Sequence, residues 1–365
     1  MVDWWRLLII VCTVLAVFVV QMVLTIIVVW AERRIAAWMQ YRVGPNRAGP
    51  FGLLQTVADG LKLVVKETFR PRKADRIVFD LAPMLSVVPA FLAFVIVPFG
   101  PGFCIGGGTS ADCAAGYFVD MQIADLNIGI LWLLAMSSIA VYSAMMAGWS
   151  SGSKYPLLGG VRASAQVISY ELVLSLSILP VILLAGTLST EGIVAAQSTY
   201  RWYFAPLIIP MIIFYISAIA ETNRPPFDLV EAESELVGGF HTEYAGQRFM
   251  MFFLAEYINM VTFSAVTVTL FLGGWNGPMF GPSWLFPILG FVWFFLKTIA
   301  LVFLFIWIRV TLPRIRYDQL MTFGWKVGLP ISIVYLMIVA LVVALVSDTD
   351  RDIWYFSARM LGAGR

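Results

Sequence analysis

The sequence predicts an all-α polytopic membrane protein with one membrane domain over residues 1–365. Of its residues, 60% are hydrophobic and only 13% are charged, whereas a typical soluble domain carries about 25% charged residues. The mean hydropathy is +0.87, and no soluble core could bury that much apolar surface. The third observation is a series of apolar runs long enough to cross about 30 Å of hydrocarbon.

Eight such runs are predicted to be transmembrane helices. Most are apolar around their whole circumference, which favours helices over the alternating strands of a β-barrel. The first run is longer than the apolar core of a signal peptide and lacks a cleavage site, so we interpret it as a retained span. The runs lie near residues 4–30, 77–99, 127–148, 163–186, 203–220, 250–273, 286–308 and 328–347.

Lys and Arg residues divide unequally between the connecting loops. The loops after spans 1, 3, 5 and 7, with their flanks, hold 18 of the 24, ten of them within residues 33–76. The positive-inside rule therefore predicts that these loops are cytoplasmic and that both termini lie outside a bacterial-type inner membrane.

The outer loop 100–126 contains neither Lys nor Arg. Its run of glycines lacks the Gly-Lys-Ser/Thr of a phosphate-binding loop, so we interpret it as a linker. Cys104 and Cys113 share this outer face, where an oxidising compartment permits a disulfide, and the sequence leaves the bridge open. The three cysteines and one histidine lack metal-ligand spacing, so we expect no metal or redox centre in this chain.

The first cytoplasmic loop is predicted to contain an amphipathic interfacial helix over residues 51–66. At 100° per residue, Gln55, Asp59, Lys62 and Lys66 form one polar stripe, and the apolar residues lie largely outside it. The helix could anchor the chain on the lipid surface or form the wall of a cavity shared with another protein, and periodicity alone leaves both open.

The cytoplasmic loop 221–249 is strongly acidic. Arg224 is the only firm positive charge in its first 24 residues, and Pro225-Pro226 should stop the preceding helix. Apolar residues alternate with the acids, which favours a cluster lining a pocket over a solvated loop. Like charges held close together raise one another's pKa, so such groups could exchange protons. The carboxylates are Glu221, Asp228, Glu231, Glu233, Glu235 and Glu243.

Three ionisable residues lie inside predicted spans: Glu171, Glu256 and Lys297. A charge at mid-bilayer costs roughly 2.5–3.5 kcal/mol on insertion scales, so such residues suggest function. One interpretation is an internal ion pair between Lys297 and a glutamate. Another is a proton relay that runs from Glu221 into the membrane, and the two are compatible.

Several motifs together resemble the H-subunit family of proton-translocating NADH:quinone oxidoreductase, which is respiratory complex I. They extend through nearly the whole chain in order. Only the ten-residue C-terminal end and the loop 100–120 look unlike a typical member. The motifs are AERR (31–34), RVGPNRAGPFGLLQTVADGLKLVVKE (42–67), GWSSGSKYPLLGGVRASAQVISYE (148–171), AETNRPPFDLVEAESELVGGFHTEY (220–244), LAEYINM (254–260) and WIRVTLPRIRYDQLM (307–321).

This resemblance implies that the chain forms much of a quinone-access chamber and a carboxylate funnel that couples quinone reduction to proton translocation. Chamber residues would be Arg33, Arg34, Arg42, Arg47, Asp59, Lys62, Arg309, Arg314 and Arg316. The proton path would comprise Glu171, Glu221, Asp228, Glu231, Glu233, Glu235, Glu243, Glu256 and Lys297. No catalytic residue would belong to this chain alone.

The resemblance also implies partners and cofactors. Quinone would be the substrate, whether ubiquinone or menaquinone, while FMN and iron–sulfur clusters would reside in other subunits. The chain would contact the peripheral-arm subunits of the quinone site, small membrane subunits and antiporter-like subunits. Alternatives are the membrane anchor of an energy-converting hydrogenase or formate hydrogenlyase, a passive scaffold, and a free-standing ion transporter, for which we find no internal repeat.

Overall fold

The computed structural model describes residues 4–104, 118–200, 202–228, 237–278 and 285–349. These residues confirm the all-α class, apart from one two-residue antiparallel ladder between Phe103–Cys104 (β1) and Phe118–Val119 (β2). The α-helices are α1 (Trp4–Met39), α2 (Gln55–Val65), α3 (Arg76–Ala93), α4 (Gly129–Ser150), α5 (Lys154–Ala185), α6 (Thr190–Tyr200), α7 (Ile208–Glu221), α8 (Gln247–Phe271), α9 (Phe286–Thr311), α10 (Tyr317–Phe323) and α11 (Leu329–Thr349).

Short helices of other types complete the described fold. Three are 3₁₀ turns, at Pro50–Gly52, Phe94–Ile96 and Gly239–His241. A π-helical segment, Gly324–Gly328, joins α10 to α11. Cys113 lies outside the described residues, so its bridge to Cys104 stays a prediction.

Seven helical segments in the described chain are long and apolar enough to span a membrane. The eighth predicted span, 203–220, is represented by α7, which has only 14 residues. It rises about 21 Å, less than the roughly 30 Å of hydrocarbon. Residues 203–207 form turns, because the backbone N–H of Phe204 bonds to the carbonyl of Phe271 (2.8 Å) instead of joining α7. The count of eight therefore stays a prediction.

Two helices continue beyond the apolar runs that predict them. Helix α1 extends nine residues past residue 30, and α5 begins nine residues before residue 163. The additional turns of α1 carry Glu32, Arg33 and Arg34, which therefore lie on a helix instead of in a loop.

The polar connections meet at one end of the bundle, which we call the loop end. Here the N–H of Asp75 bonds to the carbonyl of Ser150 (3.1 Å), and the Phe79 and Tyr244 rings stack with centroids 4.1 Å apart. Asp75 also caps α3, since its carboxylate accepts from the N–H groups of Ile77 and Val78. The loop end thus holds the ends of α3, α4 and α8 together.

Helices α3, α4, α5, α7 and α8 pack around the buried core. At the α4–α5 crossing, a Cβ added to Gly148 would lie 2.4 Å from the carbonyl oxygen of Pro156, so only glycine allows this approach. The buried Tyr170 hydroxyl on α5 donates to the carbonyl of Leu320 (3.0 Å) and fixes α10. This close packing sets the walls of the polar site described next.

Candidate functional site

A polar cavity lies between α3, α4, α5 and α8, closed at one side by the end of α7; we call it the inner cavity. It gives about 60 Å³ to water-sized molecules, and one water needs roughly 10–15 Å³ by that measure, so several fit. Its polar lining consists of Ser86, Ser137, Ser143, Ser164, Glu221, Thr222, Asn223, Glu256, Asn259 and Thr262.

Glu221 lines this cavity and Glu171 is connected to it through Ser137, and neither forms an ion pair with a described residue. Glu221 is 8% exposed, and its Oε2 has no hydrogen-bond partner among the described residues. Glu171 accepts from the hydroxyls of Ser137 (3.4 Å) and Ser138. Because Ser137 also lines the cavity, one hydroxyl connects Glu171 to it.

The turn after α7 is positioned by Gln166 on α5. This side chain is fully buried, and its Nε2 donates to the carbonyls of Ala220 and Phe227, both at 2.9 Å. The two bonds hold the end of α7 and the far side of the turn, so they fix both Glu221 and Arg224.

Arg224, itself buried, forms the centre of a row of alternating charges. It is 4% exposed, with Nη2 at 3.3 Å from Glu256 and Nη1 at 3.7 Å from Glu32. Glu32 also pairs with Arg309 on α9. We call Arg309, Glu32, Arg224 and Glu256 the charge row; its formal charges cancel. The guanidinium of Arg224 lies 4.0 Å from the ring centroid of Tyr257, a cation–π contact.

A second, more open pocket lies at the loop end beside α1 and α9; we call it the rim pocket. It gives about 450 Å³ to water-sized molecules. Three predicted chamber residues line it together with Glu32, so it is strongly charged on one side. The lining is Glu32, Arg33, Ala36, Ala37, Arg42, Val43, Gly44, Pro45, Arg309 and Val310.

Asp59 connects α2 to this pocket. Its carboxylate pairs with Arg33 of α1 and accepts from Nε2 of Gln55 (3.0 Å). Burial would raise the pKa of Asp59, but the hydrogen bonds from Arg33 and Gln55 and the charges of Arg33 and Lys62 outweigh burial and lower it. Asp59 is therefore an anion at neutral pH and holds α2 against α1.

Arg34 shapes the turn that precedes α2. Its guanidinium lies between Trp30, Trp38 and Phe51, and it donates to the carbonyl of Phe51 (2.8 Å). The φ of Phe51 is 55°, in the left-handed region, so the α-helix begins at Gln55 and the expected start near Phe51 is wrong.

The other predicted chamber residues form few contacts with the described side chains. Arg314 lies 3.7 Å from Asp228, and Arg42 donates to Gln40. Arg47, Lys62 and Arg316 are exposed and form no ion pair with a described residue. Of the acidic loop, Glu243 is partly exposed, and Glu231, Glu233 and Glu235 lie outside the described residues.

Lys297 does not meet the glutamates. Its ammonium donates to the carbonyls that follow α8 at the opposite end of the bundle and lies 4.1 Å from the Trp202 ring. The expected ion pair with a glutamate is not formed within the described residues, because three carbonyls already satisfy the ammonium. Its acceptors are Leu272 (2.7 Å), Gly274 (3.0 Å) and Asn276 (2.6 Å).

His241 is enclosed by aromatic rings at the loop end and is 5% exposed. Burial lowers its pKa to about 4, against a bond to the Gly238 carbonyl and the charge of Asp228, which both raise it. It is neutral at physiological pH. Within the described ranges, no group of three or more His, Cys, Asp or Glu side chains is placed to bind a metal.

Sequence reasoning missed Glu32, Ser138 and Tyr257. Glu32 was not identified as a charge inside a span, because the predicted first span ended at residue 30. A usable signal existed: Gln21, Thr25 and Glu32 are buried polar residues on one face of α1, spaced four and seven residues apart. Helical spacing puts Gln166 on a polar face with Arg162 and Ser169, but it does not identify its partners, which are backbone carbonyls of a loop distant in sequence.

Comparison with known proteins matches residues 12–340 to the family described as NADH dehydrogenase. The H subunit of NADH-quinone oxidoreductase from Frankia alni is 49% identical over 360 residues, which cover 96% of this chain and 75% of the relative. Its counterpart from Frankia casuarinae is 52% identical over 332 residues, covering 89% and 70%. An H subunit of the same enzyme from Geobacter sulfurreducens is 49% identical over 339 residues, covering 92% and 95%.

These matches extend through α1 to α11, so they include every residue of the inner cavity, the charge row and the rim pocket. The chain therefore belongs to the NADH dehydrogenase family, with relatives that are H subunits of NADH-quinone oxidoreductase.

Proposed function

We propose that this chain is the membrane subunit that forms much of the quinone-access chamber of NADH:quinone oxidoreductase and couples quinone reduction to proton translocation. The observation that carries the proposal is the charge row, which connects a pocket of chamber residues to a polar cavity of proton-path residues. Neither pocket alone would distinguish a coupling subunit from a simple membrane anchor.

The rim pocket suits a quinone. Its volume falls within the roughly 300–1,000 Å³ of small-molecule sites. It combines the apolar Ala36, Ala37 and Val43 with the cations Arg33, Arg42 and Arg309. Reduction of a quinone to the quinol takes up two electrons and two protons. Iron–sulfur clusters in partner subunits would supply the electrons, and the protonation would change charge next to Arg309 and Glu32.

The inner cavity suits proton movement. A buried carboxyl with no positive partner is most stable when it carries a proton, and Glu221 has no hydrogen-bond partner for Oε2 among the described residues. Glu171 is a second carboxyl, which accepts from the Ser137 hydroxyl at the edge of the cavity. Waters in the cavity could carry protons between them and Glu256. The carboxylates of loop 221–249 would then feed this cavity from the loop end.

Two further observations support the proposed membrane orientation and the proposed role of α2. The Lys and Arg distribution supports a cytoplasmic position for the loop end. Helix α2 has no buried residue, and Leu53, Leu54, Val57 and Leu61 on and before it are exposed. Because Asp59 ties α2 to Arg33 of the rim pocket, we favour α2 as a chamber wall completed by a peripheral-arm subunit over a lipid anchor.

The test is Glu171→Gln and Glu221→Gln in the intact complex, which remove a titratable proton with little change of shape. Quinone-linked NADH oxidation and proton pumping should fall at least tenfold, while NADH oxidation by an artificial acceptor is retained. Glu191→Gln, in α6 at the opposite end of the bundle, is the matched control. Wild-type pumping in both cavity variants would refute the proposed role.

A further inference from the structure

We propose that Arg224 transmits charge, but not protons, between the rim pocket and the inner cavity. The proposal rests on the proposed function and adds to it how the two sites communicate. In this account Arg224 is a positioning residue: it acts on Glu256 and touches neither the quinone nor a reacting atom.

The rim pocket and the inner cavity are separate spaces, and Arg224 lies between their acidic residues. In the described chain, the linings of the two pockets share no residue. Glu32 belongs to the rim pocket and Glu256 to the inner cavity, and Arg224 contacts both carboxylates. With 4% of its surface exposed, Arg224 is buried between these two carboxylates.

The guanidinium of Arg224 cannot carry a proton from one carboxylate to the other. An arginine side chain stays protonated in proteins, so it can neither hand a proton on nor accept one. The Tyr257 ring at 4.0 Å stabilises the cation further. A proton on Glu32 therefore cannot reach Glu256 through this contact. Lysine at this position would differ, because a buried ammonium can lose its proton.

Shared ion-pair partners allow a charge in the rim pocket to act on Glu256. Arg309 and Arg224 share Glu32, and Glu32 and Glu256 share Arg224. A negative charge that develops in the rim pocket during quinone reduction attracts Arg309 away from Glu32. Glu32 then draws Arg224 closer, and Arg224 holds Glu256 less firmly. Glu256 takes up a proton from the inner cavity, where Glu221 is the facing carboxyl, and returns it when the rim charge is neutralised.

The test uses the intact complex and infrared difference spectroscopy of quinone reduction. The wild-type spectrum should contain a protonated-carboxyl band, assigned to Glu256 by its loss in Glu256→Gln. Arg224→Gln should abolish this band and lower quinone-linked turnover at least tenfold, with artificial-acceptor activity within twofold of wild type. Arg248→Gln is the control, since Arg248 pairs with Asp80 away from both pockets.

Chemical rescue separates charge transmission from proton transfer. In Arg224→Ala, millimolar guanidinium should restore the band and at least a third of the turnover, because it is a permanent cation. Imidazole, which can pass a proton on, should not. Rescue by imidazole alone would overturn the proposal, as would a wild-type band in Arg224→Gln. If Arg224→Ala does not assemble, Arg224→Lys replaces it: its turnover should fall at alkaline pH, where the lysine loses its charge, and a wild-type pH profile would overturn the proposal.

The outcomes distinguish this inference from the proposed function. If no carboxyl band responds to quinone reduction in the wild type, the proposed coupling itself fails. If the Glu256 band responds in the wild type and persists in Arg224→Gln, the coupling stands and only the role of Arg224 is refuted.

Discussion

Two pairs of glutamates in this chain, each with one buried and one partly buried member, are held in opposite ways. Glu32 and Glu256 contact the guanidinium of Arg224, and Glu32 also pairs with Arg309. Glu171 rests on serine hydroxyls, and Glu221 has an unpartnered oxygen within the described residues. An arginine stabilises the anion, whereas burial without a cation favours the neutral acid, as at Glu221. One site thus combines glutamates paired with arginine and glutamates that have no ion pair among the described residues.

The largest loss of stability should come from breaking the ion pairs that Glu32 makes with Arg224 and Arg309. Glu32→Gln leaves Arg224 and Arg309 without their shared anion, and removing one partner of a buried ion pair costs about 3–5 kcal/mol. Glu221→Gln removes no ion pair and should cost less than about 1 kcal/mol. Thermal unfolding of the subunit within the purified complex measures both. Equal destabilisation by the two variants would erase the distinction between the pairs.

The second-largest effect concerns Glu171, which is held by serine hydroxyls and not by an arginine. Ser137→Ala with Ser138→Ala removes both hydroxyl donors of Glu171, which costs about 1–2 kcal/mol. Quinone-linked turnover should fall roughly fivefold to thirtyfold. Ser143→Ala is the matched control, because Ser143 lines the same cavity but donates to the Ala140 carbonyl of its own helix. Similar rates in the double variant and the control would contradict a role for these hydroxyls.

His241 gives a third test, through pH. Its pKa is about 4 in the folded protein and 6.5 ordinarily. Above pH 6.5 both states are neutral, so the contribution to stability is complete. Between pH 6.5 and 4 the unfolded chain binds the extra proton, and up to about 3 kcal/mol is lost.

Replacing the ring by another aromatic isolates this contribution. His241→Phe should flatten the acid limb of the stability profile, measured as hydrogen exchange of residues 237–247 against pH. Tyr244→Phe provides the control, since it keeps His241 and changes another ring of the same cluster. Parallel acid limbs in wild type and His241→Phe would show that the loop end is hydrated.

The smallest effect belongs to the exposed ion pair between Arg33 and Asp59. The two side chains are 49% and 35% exposed, and such pairs contribute about 0–1 kcal/mol. Asp59→Asn should therefore leave thermal stability within about 1 kcal/mol but raise the apparent KM for quinone, because α2 is released from the rim pocket. Destabilisation as large as that of Glu32→Gln would place Asp59 with the buried charges.

The sequence predicted the helical class, because apolar content that surrounds whole segments has few other solutions. It predicted Glu171 and Glu256 as site residues, because acids are costly inside spans, and Glu221 as part of the acidic loop. It did not predict the charge row, because hydropathy ended the first span at residue 30 while α1 continues through Glu32 to Met39. The same cost of a charge inside a span singled out Lys297. Its partners are backbone carbonyls, however, and the positions of charged residues in the sequence cannot predict these.

The most direct test of the account is the infrared difference spectrum of the NADH-reduced complex, recorded with quinone present and with the quinone extracted. We expect a protonated-carboxyl change that requires quinone and disappears in Glu256→Gln. The same change with quinone absent, or no carboxyl change in either state, would contradict the coupling of the rim pocket to the inner cavity.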